Sequence, residues 1–324
     1  MNHRRLGRTG LNVSEIGFGA WAIGGSWGPQ SESDSVAALN RALDLGVNFI
    51  DTAAGYGDGK SERIIASVLR ERRDSVIVAT KTPPVAGPWP PSPYCVAAER
   101  YPAGYLRENV EQRLKNLGTD RIDLLQLHTW TRAWNADPSP FETLRQLKKE
   151  GKVRFVGIST PEHDQNSVIS LIRDGWVDTV QVIYNLFEQE PAAELLPAAL
   201  QSDVGIIVRV VFDEGSLTGK WTPQTRFAEG DFRAKYFEGD RLERSVARAR
   251  AAADTLAGSG YSLAEGAIKF ALSHRAVGTV IPGMRNPAQA QANCAVSALP
   301  PMGEDLLRRL RPHNWLRGFW YGGK

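Results

Sequence analysis

Short runs rich in Val, Ile and Leu alternate with longer stretches of helical period along nearly the whole chain. Eight segments read as strands: 15–20, 47–51, 76–81, 122–128, 154–159, 179–185, 205–210 and 279–283. They lack the apolar–polar alternation of a half-solvated sheet, as expected for strands covered on both faces of a parallel sheet. Between them, 33–45, 62–70, 105–117 and 141–150 are amphipathic with helical spacing. Three of these stretches end at a glycine (Leu45-Gly46, Leu117-Gly118, Glu150-Gly151), the residue suited to the left-handed turn that stops a helix. Eight strands alternating with helices predict an α/β fold. A closed (β/α)8 TIM barrel fits better than an open sheet, as one domain over 1–324.

Two segments break the alternation. Residues 82–102 are proline-rich, carry Trp89 and Tyr94, and predict a long loop after the third strand. Residues 211–239 mix Gly, Trp, Phe and charge and predict another after the seventh. In α/β barrels the loops after the strands build the active-site face, so both are candidate pocket walls. The tail 313–324 is rich in aromatics, which are costly to leave in water, and it is expected to pack against the fold.

Composition narrows the function classes. The 324 residues are 42% hydrophobic and 23% charged, an ordinary globular balance. A net charge of +3 spread along the chain argues against nucleic acid or an anionic membrane as partner. Cys95 and Cys294 are too few for a disulfide framework or a zinc site, and no metal is expected. The opening Met1-Asn2-His3-Arg4-Arg5 leads into no apolar stretch, and no segment reaches the ~18 apolar residues of a membrane span. A cytoplasmic protein acting on a small molecule is the expectation, with a homo-oligomer compatible.

Four polar residues fall at or just after strand ends, where catalytic groups of a barrel belong. Asp51 ends the second strand and Tyr56 follows in the turn; Lys81 ends the third and His128 the fourth. Their chemistry interlocks. A carbonyl that accepts hydride develops charge on oxygen and then needs a proton. Tyrosine, with a pKa near ~10, is a weak acid, and an ammonium beside it eases the transfer. Asp51 would pair with Lys81, and His128 could hydrogen-bond the carbonyl oxygen.

These residues, in this order and spacing, resemble the catalytic tetrad of the aldo-keto reductase family, and the resemblance covers nearly the whole chain. Leu6-Gly7-Arg8-Thr9-Gly10-Leu11-Asn12-Val13-Ser14 is similar to the hairpin that closes the barrel floor in that family. Gly17-Phe18-Gly19-Ala20-Trp21 is similar to its first strand and loop. The resemblance implies Tyr56 as proton donor, supported by Asp51, Lys81 and His128.

No Gly-x-Gly-x-x-Gly opens a strand–turn–helix unit, so a Rossmann site is not expected. The resemblance implies NADPH held instead by barrel loops: Gly19, Ala20, Trp21 and Asp51; Ser159 and Gln181 on the nicotinamide carboxamide; Gly215, Leu217, Gly219 and Lys220 around the pyrophosphate; and Gly283, Arg285, Gln289 and Asn293 at the adenine and 2′-phosphate. Thr160 stands where the family commonly has Asn, and Arg209 where it commonly has an aromatic against the nicotinamide ring. Trp21, Tyr56, Trp89, His128 and Trp130 are the expected substrate walls. The implied activity is NADPH-dependent reduction of an aldehyde or ketone to an alcohol. A nicotinamide-sensing binding subunit, or a narrow biosynthetic reductase of a ketosugar, polyketide or imine intermediate, stays open as an alternative.

Overall fold

The computed structural model describes residues 1–70, 72–87 and 94–315. Eight parallel strands, β3 (Phe18–Gly19), β4 (Phe49–Asp51), β5 (Ile77–Thr82), β6 (Ile122–Leu127), β7 (Val153–Ser159), β8 (Thr179–Ile183), β9 (Gly205–Arg209) and β10 (Val277–Val280), neighbour one another in chain order. The sheet curls until its edges meet. Ile16 bridges Val280 and Gly19 bridges Gly283, both parallel, and Gly17 N donates to the Val280 carbonyl at 2.8 Å. The expected (β/α)8 barrel is the fold found.

All eight expected strands are present. The first is regular over only two residues, because its join to the last strand runs through isolated bridges rather than a continuous ladder. His128 falls one residue past β6, in the loop that follows it. The expected helices form as Glu32–Asp44, Lys60–Leu69, Ala103–Leu117 and Ser139–Lys149, and Gly46, Gly118 and Gly151 all take positive φ after them.

The barrel floor is a plug. Strands β1 (His3–Arg5) and β2 (Asn12–Ser14) form an antiparallel hairpin with His3 opposite Ser14. Leu6 and Val13, both 0% exposed, pack with Phe49, Ala79, Leu124, Ile207 and Ile281 inside the barrel. Glycine at 205 and 278 makes room for Leu6: a Cβ on Gly205 would stand 2.7 Å from Leu6 Cγ, and one on Gly278 2.8 Å from its Cδ1. A second, larger core lies outside the strands, where residues such as Ile50, Val78, Leu125 and Val180 meet Ile65, Leu144 and Ala267 of the helices. Among the described residues no helix is long and apolar enough to cross a membrane.

Candidate active site

The strands deliver the four polar residues to one mouth. Asp51 ends β4 and is 2% exposed; Lys81 lies in β5 and is 0% exposed. An ammonium so buried must spend its hydrogen bonds inside the protein. Lys81 Nζ donates to Asp51 Oδ1 at 2.5 Å, to the Thr52 carbonyl at 2.9 Å and to Tyr56 Oη at 3.2 Å. Tyr56 Oη thus accepts from the ammonium. The His128 ring stands edge-on to the Tyr56 ring, centroids 5.9 Å apart, and Trp21 stacks on the Tyr56 ring at 6.1 Å.

Burial and charge compete in setting the proton affinities. Burial pushes the Tyr56 hydroxyl above the usual tyrosine range, with the Lys81 ammonium pulling the other way. The expected lowering by Lys81 is therefore present but outweighed by burial. Burial works against the charge of Lys81 itself, yet the Asp51 carboxylate and Tyr56 overcome it and hold the ammonium above its usual range. His128 is pushed well below the usual histidine range by burial and by the cations of Lys81 and Arg209. It is a neutral imidazole at physiological pH, fit to hydrogen-bond an oxygen without competing for the proton.

Around the tetrad, several expected contacts take a particular form. Ser159 and Gln181 are register partners on β7 and β8, both buried. Gln181 Nε2 donates to Asp51 Oδ2 at 2.7 Å, while its Oε1 is buried with no partner. The Thr160 hydroxyl donates to Gln165 Oε1 at 3.1 Å. Arg209 pairs with Glu162 at 3.2 Å and donates to the Thr160 carbonyl at 3.0 Å. Its guanidinium is thereby fixed beside the mouth, near enough to act on both Tyr56 and His128.

The loop after β9 is built as a clasp. Glu214 and Gly215 take positive φ inside the turn Asp213–Thr218, and Leu217 is buried there. Gly215 lies flat against Trp221, where a Cβ would come 2.7 Å from Cζ2. Gly219 and Lys220 are exposed. Farther on, Phe232 packs on Trp21 and Trp27, with centroids 4.6 and 5.1 Å apart, and Arg233 sits over Trp27 at 4.5 Å. The loops after β3 and β9 thus meet across the mouth.

Arg285 precedes the helix Pro287–Ala295, whose first turn is capped by Asn286. Its side chain donates to Gln30 Oε1 at 2.8 Å and to the Pro29 carbonyl, both neutral acceptors. Gln289 Oε1 accepts from Arg285 N at 2.8 Å, and Asn293 Nδ2 donates to the Gly283 carbonyl at 3.4 Å, so both brace the turn. Burial and the neighbouring Arg233 push the Arg285 guanidinium below its usual range. A cation hydrogen-bonded to neutral groups, next to a helix start, fits a phosphate. The buried acceptor on Gln181, the cation at Arg285 and the clasp between them fit a dinucleotide.

Two expected substrate walls fare differently. Trp130 is 0% exposed, inside an aromatic cluster with Tyr101, Trp134 and Phe141, and its Nε1 donates to Asn135. It presents no surface at the mouth; core packing claimed it. Trp89 lies outside the described residues, as do 316–324 of the aromatic tail. Trp315, at the tail's start, is buried against Phe187. The open cavity beside His128, ≈ 400 Å³, is lined by Pro83, Pro84, Val85, Ala86, Gly87, Arg100 and Thr129. Gln126, Glu162, Gln30 and Phe232 are contacts that sequence reasoning missed. Only Gln126 carried a visible signal, as a polar residue inside the apolar run Leu124-Leu125-Gln126-Leu127.

A parallel eight-stranded barrel with a buried Asp–Lys pair bonded to a half-buried Tyr, and a neutral His at its C-terminal mouth, has the architecture of a barrel oxidoreductase. A family model described as the Aldo/keto reductase family matches residues 15–314, and the chain belongs to that family. Aldo-keto reductase YhdN of Bacillus subtilis (strain 168) is 32% identical over 312 residues, covering 94% of this chain and 91% of that protein. L-galactose dehydrogenase of Arabidopsis thaliana is 30% identical over 311 residues, covering 93% and 90%. Among solved structures, an aldo-keto reductase from Bacillus halodurans in its holo form aligns with a TM-score of 0.77 at 25% identity, covering 97% of this chain and 96% of that one.

Proposed function

We propose that this protein reduces an aldehyde or ketone to the alcohol with NADPH, Tyr56 donating the proton. The observation that carries the reading is the single ammonium of Lys81 bonded at once to Asp51 Oδ1 and Tyr56 Oη, with a neutral His128 facing the same phenol. NADPH supplies the hydride when bound. The chain's own groups do the rest. Tyr56 Oη, already accepting from Lys81, points its proton at the substrate oxygen. As that proton leaves, the ammonium 3.2 Å away stabilises the phenolate that remains. The neutral imidazole of His128 hydrogen-bonds the same oxygen and orients it. Trp21 and the cavity beside His128 enclose the substrate's remainder, and Arg209 borders the nicotinamide side.

For the dinucleotide, Ser159 and the unpartnered Oε1 of Gln181 take the carboxamide; Gly215, Leu217, Gly219 and Lys220 hold the pyrophosphate. Arg285, with Gln289 and Asn293 bracing its turn, holds the 2′-phosphate and favours NADPH over NADH. The test is NADPH absorbance with the purified protein and 4-nitrobenzaldehyde, beside Tyr56→Phe. Turnover that collapses in the variant is the expected result. Equal turnover in both, or tight NADPH binding with no turnover of this or any aldehyde or ketone tried, would refute the reading.

A further inference from the structure

Besides Gln181, a second amide side chain reaches the Asp–Lys–Tyr chain from within the barrel. Gln126, on β6 two residues before His128, is 0% exposed, and its Nε2 donates to Asp51 Oδ2 at 3.2 Å. Asp51 is therefore held at both oxygens: Oδ1 by Lys81 at 2.5 Å, and Oδ2 by Gln126 and by Gln181 at 2.7 Å. In the sheet register Gln126 stands between Lys81 on β5 and Gly157 on β7. The glycine clears its path, since a Cβ at 157 would come 3.0 Å from Gln126 Cγ. Gln126 Oε1 is buried with no partner, a cost that an apolar residue in this strand would not carry. The amide's return on that cost is the donor it gives to Asp51.

We propose that Gln126 is a positioning residue for the reduction: by holding Oδ2 it fixes the Asp51 carboxylate so that Oδ1 stays on Lys81 and the ammonium stays on Tyr56. This rests on the reading of Tyr56 as proton donor. Gln181 shares the oxygen, but it also borders the place given above to the nicotinamide. Gln126 is fully buried on β6 and is given no contact with the cofactor in the reading above.

The test compares wild type, Tyr56→Phe, Gln126→Met and Gln126→Glu, measuring kcat and KM for 4-nitrobenzaldehyde across pH, together with NADPH affinity and thermal melting. Gln126→Met, similar in volume but without a donor, should keep NADPH affinity and KM within about twofold and lose about tenfold in kcat, as for the loss of a hydrogen bond to a charged group. Gln126→Glu should retain activity in acid, where its protonated carboxyl donates to Oδ2. It should lose activity as that carboxyl ionises beside Asp51. The result is a pH step absent from the other proteins, and the discriminating comparison lies on its acid side: there Gln126→Glu, which carries a donor and no charge, should turn over close to wild type while Gln126→Met, which carries neither, stays about tenfold down. If Gln126→Met fails to fold, Gln126→Leu takes its place as the variant without donor or charge. Full activity in both Gln126 variants with an unchanged pH profile, while Tyr56→Phe is dead, would overturn this proposal alone. A wild type as slow as Tyr56→Phe would overturn the proton-donor reading and this proposal together.

Discussion

Lys81→Met cuts the centre of the buried chain, and its consequences follow from three distances. The ammonium is shared among Asp51 Oδ1 at 2.5 Å, the Thr52 carbonyl at 2.9 Å and Tyr56 Oη at 3.2 Å, with the Lys81 side chain 1% exposed and that of Asp51 3%. Removing one partner of such a pair strands a carboxylate in the interior, which costs about 3–5 kcal/mol. Removing both, in Lys81→Met with Asp51→Asn, relieves the stranded charge, and about half of that loss should return. Activity should not return in either. Without the ammonium, burial and Asp51 both push Tyr56 upward, leaving it a poorer acid, and reduction should slow by about 10²–10⁴-fold. Because the Lys81 affinity is raised in the folded state, its stabilisation is complete below the free-lysine range. It is lost only as pH climbs through the folded value in strong alkali. The stability gap should thus be constant through neutral pH. Urea unfolding of the wild type, single and double variants, with NADPH turnover in parallel, tests this. A Lys81→Met protein as stable as wild type, or a double variant less stable than the single, would refute the reasoning.

Leu6→Ala should cost about 2–5 kcal/mol in the same unfolding assay, because the hole it leaves is walled by backbone at Gly205 and Gly278 and cannot collapse. A loss below about 1 kcal/mol would mean the hairpin is not the floor's plug. Arg285→Ala should raise KM for NADPH about tenfold or more and leave KM for NADH nearly unchanged, the signature of a lost charged hydrogen bond to the 2′-phosphate. Equal effects on both cofactors would rule that role out. Across neutral pH the reduction rate should show no break near the ordinary histidine value of 6.5. His128 stays neutral down to well below it, and Tyr56 stays protonated. A break there would show that His128 carries a titrating proton.

How much of this was written in the chain differs by distance along it. The Val-, Ile- and Leu-rich runs located every barrel strand, because a strand covered on both faces can tolerate little else. Asp51, Tyr56, Lys81 and His128 were legible because topology alone brings successive strand ends to one mouth. What local pattern could not show were the partners chosen in three dimensions. Gln126 finds Asp51 across 75 residues, and Arg209 finds Glu162 across 47. Trp130 looked like a wall by its place after β6. Tyr101, Trp134 and Phe141 take it into the core instead, and the apolar area of an indole favours that burial whatever its position in the strand order.

The floor hairpin also sets the order in which the barrel can be completed. Leu6 lodges against Gly205 and Gly278, Arg4 Nη1 donates to the Leu272 carbonyl, and Asn2 N donates to Ser297 Oγ, a separation of 295 residues. A growing polypeptide that carries the hairpin lacks the last part of its seat, Gly278 and the bonds to Leu272 and Ser297, until the chain through Ser297 has been made. Closure is therefore a late, highly non-local event, and the loop-closure entropy must be met before its contacts form. Until then the cover over Leu6 is incomplete, which leaves apolar surface at the barrel's base for longer than a local contact would.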